Sequence, residues 1–477
     1  MSKSSPSSNR RQFIKGLGLS GVAATLGAGS AAADRLRPRQ PKATKAKNLI
    51  FLVVDGMCTG TYAFAHHWSL RNRKAPLNWM QVYEQPGLTR ALQDTASASS
   101  PVTDSAAAAS AWGSGQRVMN GALNTDANGK SLTPLFTCAK AAGKATGLVT
   151  TCRVTHATPA GFAANVEKRG MENEIAQQYH EREIDVLLGG GSRHFEGEKA
   201  LTQVADFQKK GYQFVQIKSE LEAQAGNSKL LGLFSKSHVP YAIDRKNDAA
   251  LAEVPSLPDM FRAALKSLGQ SKDGFVLQVE GGRVDHAGHG NDPATILHEL
   301  LEFDECIPIA LEYLKHDPDT LLIITTDHGT GGCQLNGAGS AYSDSGPALD
   351  RINDMTASFE ALEHQFKTTG RFDPAVFTAA TGIVPTKAQA NAIQATMDDP
   401  NTSYLSSAMT GIVSDELFKK TAVGWTSSNH TSECVDLFAF GPGSERIQPF
   451  IRNFELFGVM TQALGVSQGE SCSASVS

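Results

Sequence analysis

Long apolar runs are missing from this chain of 477 residues. After the first 33 residues, no segment approaches the roughly eighteen unbroken apolar residues that mark a membrane-spanning helix, so we expect no stable membrane span. The seven cysteines include no C-x-x-C pair, which argues against the common cysteine-based metal and redox motifs. Because their number is odd, they cannot all pair within one chain, and the sequence leaves the pairing open.

An excess of basic charge is also missing. Lys and Arg total 44 against 48 Asp and Glu, and the formal net charge is −4. The basic residues are dispersed, and no patch alternates them with aromatic residues. Because nucleic-acid binding relies on concentrated positive charge, we expect no dedicated nucleic-acid partner.

The N-terminus carries the features of an export signal. Arg10 and Arg11 precede a Gly- and Ala-rich apolar stretch that runs to Ala28, and small residues follow at Ala31–Ala33. This pattern resembles a twin-arginine signal peptide. It implies a signal over residues 1–33, the twin-arginine export machinery as a partner, and a periplasmic or secreted product of 477 − 33 = 444 residues. The alternative is a disordered basic tail.

Three apolar runs each lead directly into an acidic residue. They are Asn48–Val54 before Asp55, Phe275–Val279 before Glu280, and Leu321–Thr326 before Asp327. Such runs are typical of buried strands in a parallel sheet, and ligands bind beyond the carboxyl ends of such strands. Three carboxylates at one sheet edge would repel one another, so the pattern favours a cluster of divalent metal ions.

Histidines follow two of these strands at spacings that suit metal ligands. Asp285 and His289 are four residues apart, so one helical turn would place both on the same face. His328 follows Asp327 directly, and the glycines after it permit the bend that would bring both side chains to one ion. His430 precedes another strand-like run. Taken separately, these motifs also fit a solvated loop, a surface pair and a structural histidine.

Ser105 is a candidate nucleophile. It opens an alanine-rich, helix-forming run, with Thr103 or Asp104 available as the capping residue. A serine in the first turn of a helix lies where free N–H groups favour an anion, and nearby metal ions would activate its hydroxyl. The alternative is a buried helix whose first serine has only a structural role.

These motifs, in this order, resemble the bacterial alkaline phosphatases. The resemblance runs from Lys47 to about Pro442, and Arg169 follows His156 by thirteen residues, the family's spacing for its phosphate-binding arginine. The positions that match the family's ligands and nucleophile are Asp55, Ser105, His156, Thr158, Glu280, Asp285, His289, Asp327, His328 and His430.

The resemblance implies two Zn²⁺ ions and one Mg²⁺ ion per chain. One zinc would be held by Asp285, His289 and His430, the other by Asp55, Asp327 and His328, and the magnesium by Asp55, Thr158 and Glu280. Ser105 would form a phosphoserine, and Arg169 would clamp the phosphate through its planar fork.

Two positions near the third metal site differ from many bacterial members of the family. His156 and His286 stand where those members have Asp and Lys, and here the chain resembles the animal enzymes. An imidazole is a poorer partner than a carboxylate for a hard cation, so the identity of the third ion is the open question.

For the fold, the sequence predicts an α/β class with a large, mostly parallel central sheet and helices on both faces. We expect one catalytic domain over residues 34–477, with further strands at 147–151 and 185–189. Residues 294–313 are predicted to form one long amphipathic helix. The stretch from about 334 to 424 contains no candidate ligand and is predicted to be a cap-like insertion near the active site.

The predicted function is hydrolysis of phosphate monoesters. A phosphodiesterase or another phosphoryl-transfer enzyme of the same superfamily is one alternative, although diesterases usually use Thr as nucleophile and lack the Arg169 clamp. Sulfatases need a Cys or Ser in a C/S-x-P-x-R context, which Ser105 does not have. A non-catalytic periplasmic binder of phosphate or metal is the alternative from another class, but binding alone needs no nucleophile. The physiological ester stays open, as does the oligomeric state, for which a homodimer is the candidate.

Overall fold

Fourteen strands organise the part of the chain that the computed structural model describes, residues 45–466. They are β1 (Asn48–Val54), β2 (Thr89–Asp94), β3 (Ala145–Arg153), β4 (Val186–Gly190), β5 (Gln213–Val215), β6 (Leu230–Leu233), β7 (Phe275–Gly281), β8 (Thr320–Thr326), β9 (Gly329–Thr330), β10 (Gln334–Leu335), β11 (Val423–Gly424), β12 (His430–Thr431), β13 (Val435–Phe440) and β14 (Phe450–Arg452). The predicted strands at 147–151 and 185–189 are therefore present.

Ten of these strands form one sheet in the order β14-β2-β13-β8-β1-β7-β3-β4-β6-β5. The seven strands from β8 to β5 run parallel, and β13 joins antiparallel to β8. The predicted mostly parallel sheet is confirmed. Because β8, β1 and β7 are direct neighbours, the three acids that end these strands meet at one edge.

The sheet is buried on both faces because its central strands are apolar throughout. In β1, Ile50 and Leu52 face one core, whereas Leu49 and Phe51 face the other. This alternation follows from the two-residue period of a strand, and every residue of β1 is buried. Both cores need covering helices, which accounts for the two helical layers.

Twenty α-helices are assigned within residues 45–466. They are α1 (Thr59–Asn72), α2 (Asn78–Gln81), α3 (Ser105–Ser114), α4 (Leu135–Ala141), α5 (Ala157–Ala160), α6 (Glu172–Glu181), α7 (Val204–Lys209), α8 (Lys218–Gln224), α9 (Ala242–Asn247), α10 (Leu257–Leu268), α11 (Arg283–His289), α12 (Pro293–Asp304), α13 (Cys306–His316), α14 (Ser345–Asp350), α15 (Phe359–Thr369), α16 (Pro374–Thr381), α17 (Lys387–Asp398), α18 (Leu405–Ile412), α19 (Ser414–Thr421) and α20 (Glu455–Leu464).

The prediction of a single helix over residues 294–313 is wrong. The structure has two helices there, α12 and α13, which are separated at Glu305. Pro308 has no N–H to donate to the carbonyl of Asp304, where an unbroken helix would need that bond. The Asp304 carbonyl accepts a hydrogen bond from Asn78 Nδ2 at 3.0 Å instead.

The segment predicted as an insertion, residues 334–424, is mainly helical. Its ends are joined by a two-stranded antiparallel sheet, in which Gln334 pairs with Gly424. Helices α14 to α19 lie between these strands. The division into one domain with this insertion stays a prediction.

Within residues 45–466, no helix is long and apolar enough to cross a membrane. No disulfide links the six cysteines in this part of the chain, which are Cys58, Cys138, Cys152, Cys306, Cys333 and Cys434. The predicted signal at 1–33 and Cys472 lie outside the described residues.

Candidate active site

Three carboxylates converge at the carboxyl ends of β8, β1 and β7. Asp55 follows β1, Asp327 follows β8, and Glu280 is the penultimate residue of β7, where it pairs in register with Val53. All three side chains are buried. Gly56 N donates to Asp327 Oδ1 at 3.0 Å, which fixes one oxygen of that carboxylate.

The remaining oxygens of these acids have no hydrogen-bond partner. Asp55 Oδ1, Asp327 Oδ2 and Glu280 Oε1 are buried without one. Burial raises the pKa of Asp327 to about 8 and that of Glu280 to about 7, and burial together with Asp327 raises the pKa of Asp55. Burying three carboxylates in this way is costly unless cations compensate them, so the site fits bound divalent metal ions.

His328 connects this acidic group to the candidate nucleophile. Its Nε2 lies 3.1 Å from Asp327 Oδ2, 3.4 Å from Asp55 Oδ1 and 3.3 Å from Ser105 Oγ. The chain bends after β8, as the glycines predicted, so that Asp327 and His328 reach the same point. An imidazole and two carboxylates within one coordination sphere suit zinc.

A second group forms where α11 approaches β12. Asp285 and His289 lie on α11, as predicted, and His430 opens β12. His289 Nε2 is 3.5 Å from Asp285 Oδ2 and 3.0 Å from His430 Nε2, and His430 Nε2 is 3.5 Å from Asp285 Oδ1. Two nitrogens and a carboxylate therefore converge on a volume that one ion would fill.

The second nitrogen of each histidine fixes its tautomer. His289 Nδ1 donates to the Ser428 carbonyl at 2.6 Å, and His430 Nδ1 donates to the Thr103 carbonyl at 2.7 Å. The Nε2 lone pairs are therefore free to bind a metal. Histidine ligands usually donate their other ring N–H to a carbonyl or carboxylate in this way. Burial raises the pKa of Asp285, whereas positive charge on the surrounding imidazoles holds it well below its ordinary value. Where these imidazoles are neutral metal ligands, the bound cation would favour the ionised carboxylate instead.

Ser105 is the first residue of α3, and its side chain is buried beside His328. Of the two predicted caps, Asp104 is the one used, because its Oδ1 accepts from Ala107 N at 3.0 Å. The hydroxyl therefore lies at the positive end of the helix, where backbone N–H groups favour an anion.

Arg169 is oriented by two partners. Its Nη1 donates to Asp104 Oδ2 at 3.1 Å, and its Nη2 lies 3.0 Å from His156 Nε2. Burial and the Arg169 charge hold the pKa of His156 well below its ordinary value, so this imidazole is neutral and accepts the hydrogen bond. The guanidinium is thus held by Asp104, the residue that precedes Ser105 in the chain.

The third predicted group, which consists of Asp55, Thr158 and Glu280, shares Asp55 with the His328 group. Thr158 Oγ1 donates to Asp55 Oδ2 at 3.1 Å, and Thr150 Oγ1 donates to Glu280 Oε2 at 2.5 Å. Oxygen donors of this kind suit magnesium. The predicted groups adjoin one another, because the rings of His328 and His430 stack with their centroids 3.7 Å apart and donor atoms of Glu280 and His156 lie within 4.8 Å of each other. His286 lies beside His156, with a distance of 5.5 Å between the ring centroids.

Comparison with known proteins agrees with this geometry. The alkaline phosphatase family model matches residues 46–466. The chain belongs to the alkaline phosphatase family. It is 33% identical over 430 residues to alkaline phosphatase 3 of Bacillus subtilis, covering 88% of this chain and 89% of the relative.

Two further relatives support the same assignment. Alkaline phosphatase of Escherichia coli K12 is 32% identical over 335 residues, covering 59% of this chain and 70% of the relative. The crystal structure of Thermus thermophilus alkaline phosphatase superimposes with a TM-score of 0.81 at 35% identity, covering 89% of this chain and 92% of that one. As a member of the alkaline phosphatase family, this chain is a phosphoric monoester hydrolase, and the family implies divalent metal ions.

A cavity of about 610 Å³ adjoins the alkaline phosphatase site. His286 and His289 line one side, and Glu360 and Tyr404 of the segment 334–424 line another. The segment thus contributes a wall beside the site although it offers no ligand of the predicted groups. The cavity is large enough for the alcohol portion of a substrate.

Sequence reasoning missed several supporting residues of this alkaline phosphatase. Thr330 Oγ1 donates to Asp285 Oδ1 at 2.5 Å, and Thr150 holds Glu280. His238 lies with its ring 4.4 Å from that of His286. Cys152 is buried close to Glu280 and His156. A polar residue at the end of a predicted strand was the available signal for Thr150 and Cys152, whereas nothing local marks His238.

Proposed function

We propose that this enzyme hydrolyses phosphate monoesters through a phosphoserine at Ser105. The observation that carries the proposal is the position of Ser105 Oγ, at the start of α3 and 3.3 Å from His328 Nε2. Thr158, in the first turn of the short helix α5, also contacts the predicted ligand Asp55, but its hydroxyl is itself a proposed magnesium ligand.

The ligand sets that we propose follow the three groups described above. Asp285, His289 and His430 would hold one zinc, Asp55, Asp327 and His328 the other, and Asp55, Thr158 and Glu280 a magnesium. Support comes from the unpartnered oxygens of the three acids and from the Nε2 lone pairs of His289 and His430. Bound there, such ions would lower the pKa of nearby hydroxyl groups and neutralise developing charge on oxygen.

The residues of the chain then divide the reaction as follows. Ser105 Oγ attacks phosphorus, its proton passes to solvent, and the ester P–O bond breaks as the alcohol leaves and takes a proton. Water next attacks the phosphoserine, which releases inorganic phosphate and restores the Ser105 hydroxyl. Arg169 would orient two phosphate oxygens throughout, while Asp104 holds its guanidinium in place.

The deciding experiment is a comparison of turnover on p-nitrophenyl phosphate, the corresponding diester and the corresponding sulfate. Because Arg169 is placed to clamp a dianionic group, the monoester should be hydrolysed much faster than either alternative. Equal or faster turnover of the diester would favour the phosphodiesterase, and phosphate binding without turnover would favour the non-catalytic binder.

We also propose that residues 1–33 direct twin-arginine export to the periplasm or beyond. The paired Arg10 and Arg11 and the small residues at Ala31–Ala33 support this. Replacing both arginines with lysine should retain the chain in the cytoplasm, as measured by cell fractionation. Sedimentation of the processed chain would test the homodimer.

A further inference from the structure

Cys152, which has no role in the mechanism above, lies close to donor atoms of His156 and Glu280. It is the penultimate residue of β3 and is fully buried. Its Sγ, a ring nitrogen of His156 and a carboxylate oxygen of Glu280 all lie within 4.8 Å of one another. Sulfur, nitrogen and oxygen at this spacing form a ligand set for a zinc-like ion rather than for magnesium.

Thr150 holds the Glu280 carboxylate close to Cys152. Thr150 Oγ1 donates to Glu280 Oε2 at 2.5 Å and accepts from Cys152 N at 2.8 Å, so one hydroxyl ties the thiol strand to the carboxylate. Glu280 Oε1 remains buried without a partner.

The chain also keeps the space between the two donors open. A Cβ at Gly282 would lie 2.7 Å from Cys152 Sγ and 2.8 Å from Glu280 Oε1. Any side chain at position 282 would therefore occupy the point where the sulfur and the oxygen approach each other. Position 282 therefore requires glycine, because Cys152 Sγ and Glu280 Oε1 approach its backbone closely.

His156, like Glu280, has a buried polar atom without a hydrogen-bond partner. Its Nε2 accepts from Arg169 Nη2, whereas its Nδ1 is buried without a partner. A neutral imidazole carries one proton, so an ion on Nδ1 would move that proton to Nε2. Nε2 would then face the Arg169 N–H as a donor, and the guanidinium would be released toward the phosphate.

We propose that Cys152, His156 and Glu280 form a binding site for a thiophilic divalent ion, zinc or cobalt. As the ion binds, the metal–sulfur bond forms and the thiol proton passes to solvent. The proposal rests on the proposed function because Glu280 also belongs to the oxygen-only set with Asp55 and Thr158. With Oε2 held by Thr150, one oxygen serves both sets, so the two ions compete for it.

A second trio around the same thiol is less suited to a cation. Cys152, His238 and His286 are also close together. However, Arg153 Nη1 contacts His238 Nε2, and Arg283 Nε lies 3.3 Å from His286 Nδ1. Two guanidinium groups beside these imidazoles oppose a further positive charge, and this trio has no carboxylate to offset them as Glu280 offsets Arg169 beside His156.

The test is a cobalt titration of the full chain after chelator dialysis, with Co²⁺ as the only metal. Sulfur-to-cobalt charge-transfer absorption in the near ultraviolet reports a metal–thiolate bond directly. We expect the band in the wild type, its loss in Cys152→Ala and Cys152→Ser, and its retention in Cys306→Ala, a matched buried thiol. Circular dichroism checks that each variant is folded, and the serine variant preserves side-chain size if the alanine variant unfolds.

The ligand set is tested by two matched histidine variants. His156→Ala should raise the cobalt concentration at half-maximal band intensity about tenfold or more, whereas His238→Ala should leave it within about twofold. A wild-type protein that binds cobalt without the band, a band that survives in Cys152→Ala, or a larger effect of His238→Ala would overturn the proposal.

Monoester turnover, measured on separate samples of the same protein loaded with zinc and magnesium, separates this proposal from the proposed function. Turnover together with absence of the cobalt band would reject the Cys152 site and leave the phosphatase assignment standing. The band without turnover would support the Cys152 site and reject the assignment.

Discussion

Asp104 Oδ2 accepts a hydrogen bond from Arg169 Nη1 at 3.1 Å, while the other oxygen of the same carboxylate caps the helix that begins with Ser105. One side chain therefore positions both the proposed nucleophile and the proposed phosphate clamp. The capping role and the ion pair can be separated, because Asn also caps helices but carries no charge.

Asp104→Asn should therefore weaken substrate binding more than it slows the chemical step. We expect KM for a monoester to rise about tenfold, the equivalent of roughly 1.4 kcal/mol, with a much smaller change in kcat. Steady-state kinetics on p-nitrophenyl phosphate checks this. As a control, Asp126→Asn changes a partly buried acid in a surface turn and should alter neither constant. An unchanged KM in Asp104→Asn would show that the ion pair does not orient Arg169.

Ser105→Ala removes the proposed covalent step. Turnover of monoesters should fall by roughly three orders of magnitude or more, because the intermediate cannot form. Metal content should be unchanged, since Ser105 is not among the proposed ligands. Acid quenching with ³²P-labelled substrate should label the wild type and not the variant, whereas Ser110→Ala, farther along the same helix, should still be labelled. Near wild-type activity in Ser105→Ala would exclude the assignment.

Much of this site follows from the sequence because strand ends are local signals. Asp55, Glu280 and Asp327 each follow an apolar run, and the parallel sheet places the three runs side by side. The contacts of Thr150 could not be predicted in the same way. Its partner Glu280 is 130 residues away, and only the register of β3 against β7 brings the two together.

The error in the helix at 294–313 has the same origin. Apolar periodicity continues across Glu305, so the pattern alone predicts one helix. The interruption depends on Pro308 and on the tertiary bond that Asn78 makes to the Asp304 carbonyl. Proline is tolerated in the first turn of a helix, so Pro308 was the available signal that a second helix begins near residue 306.

Metal removal should abolish activity and also destabilise the fold. Without cations, the buried oxygens of Asp55, Asp327 and Glu280 have no partner, and their mutual repulsion is uncompensated. At metal concentrations about 100 times the dissociation constant, each bound ion contributes roughly 2.7 kcal/mol to the free energy of unfolding. Chelator dialysis should therefore lower the melting temperature, and zinc with magnesium should restore activity better than either alone. Active protein with fewer than two metal ions per chain would contradict the proposed sites.

Glu299 should make the free energy of unfolding depend on pH. Burial and the neighbouring Glu302 raise its pKa to about 7, opposed by Arg245, its backbone contact to Ala242 and Arg283. Because this folded-state pKa lies above the unfolded value, its contribution to stability is present below about pH 4.5 and is lost as the pH rises through 7.

Glu299→Gln removes this dependence and keeps an oxygen that accepts from Ala242 N. The variant should gain about 2 kcal/mol relative to the wild type between pH 5 and pH 8. Urea unfolding of both proteins at equal metal concentration measures the difference, so that shared effects of pH on metal binding cancel. Glu222→Gln, at an exposed position, should show no such trend. A constant difference between Glu299→Gln and the wild type would show that Glu299 stays ionised.

His156→Asp should shift the third site from soft to hard ions. The imidazole adds no negative charge beside Thr158 and Glu280, and its nitrogen favours zinc or cobalt over magnesium. A carboxylate restores a hard ligand and one negative charge. The magnesium concentration needed for half-maximal activity after chelator dialysis should therefore fall, by about tenfold. The same added charge lies beside Arg169, so it should also slow phosphate release or weaken substrate binding. His156→Asn is the matched control, because it offers oxygen without charge. The magnesium concentration that it needs for half-maximal activity should lie between those of the wild type and His156→Asp. If His156→Asp needs as much magnesium as the wild type, or more, His156 does not tune the third site.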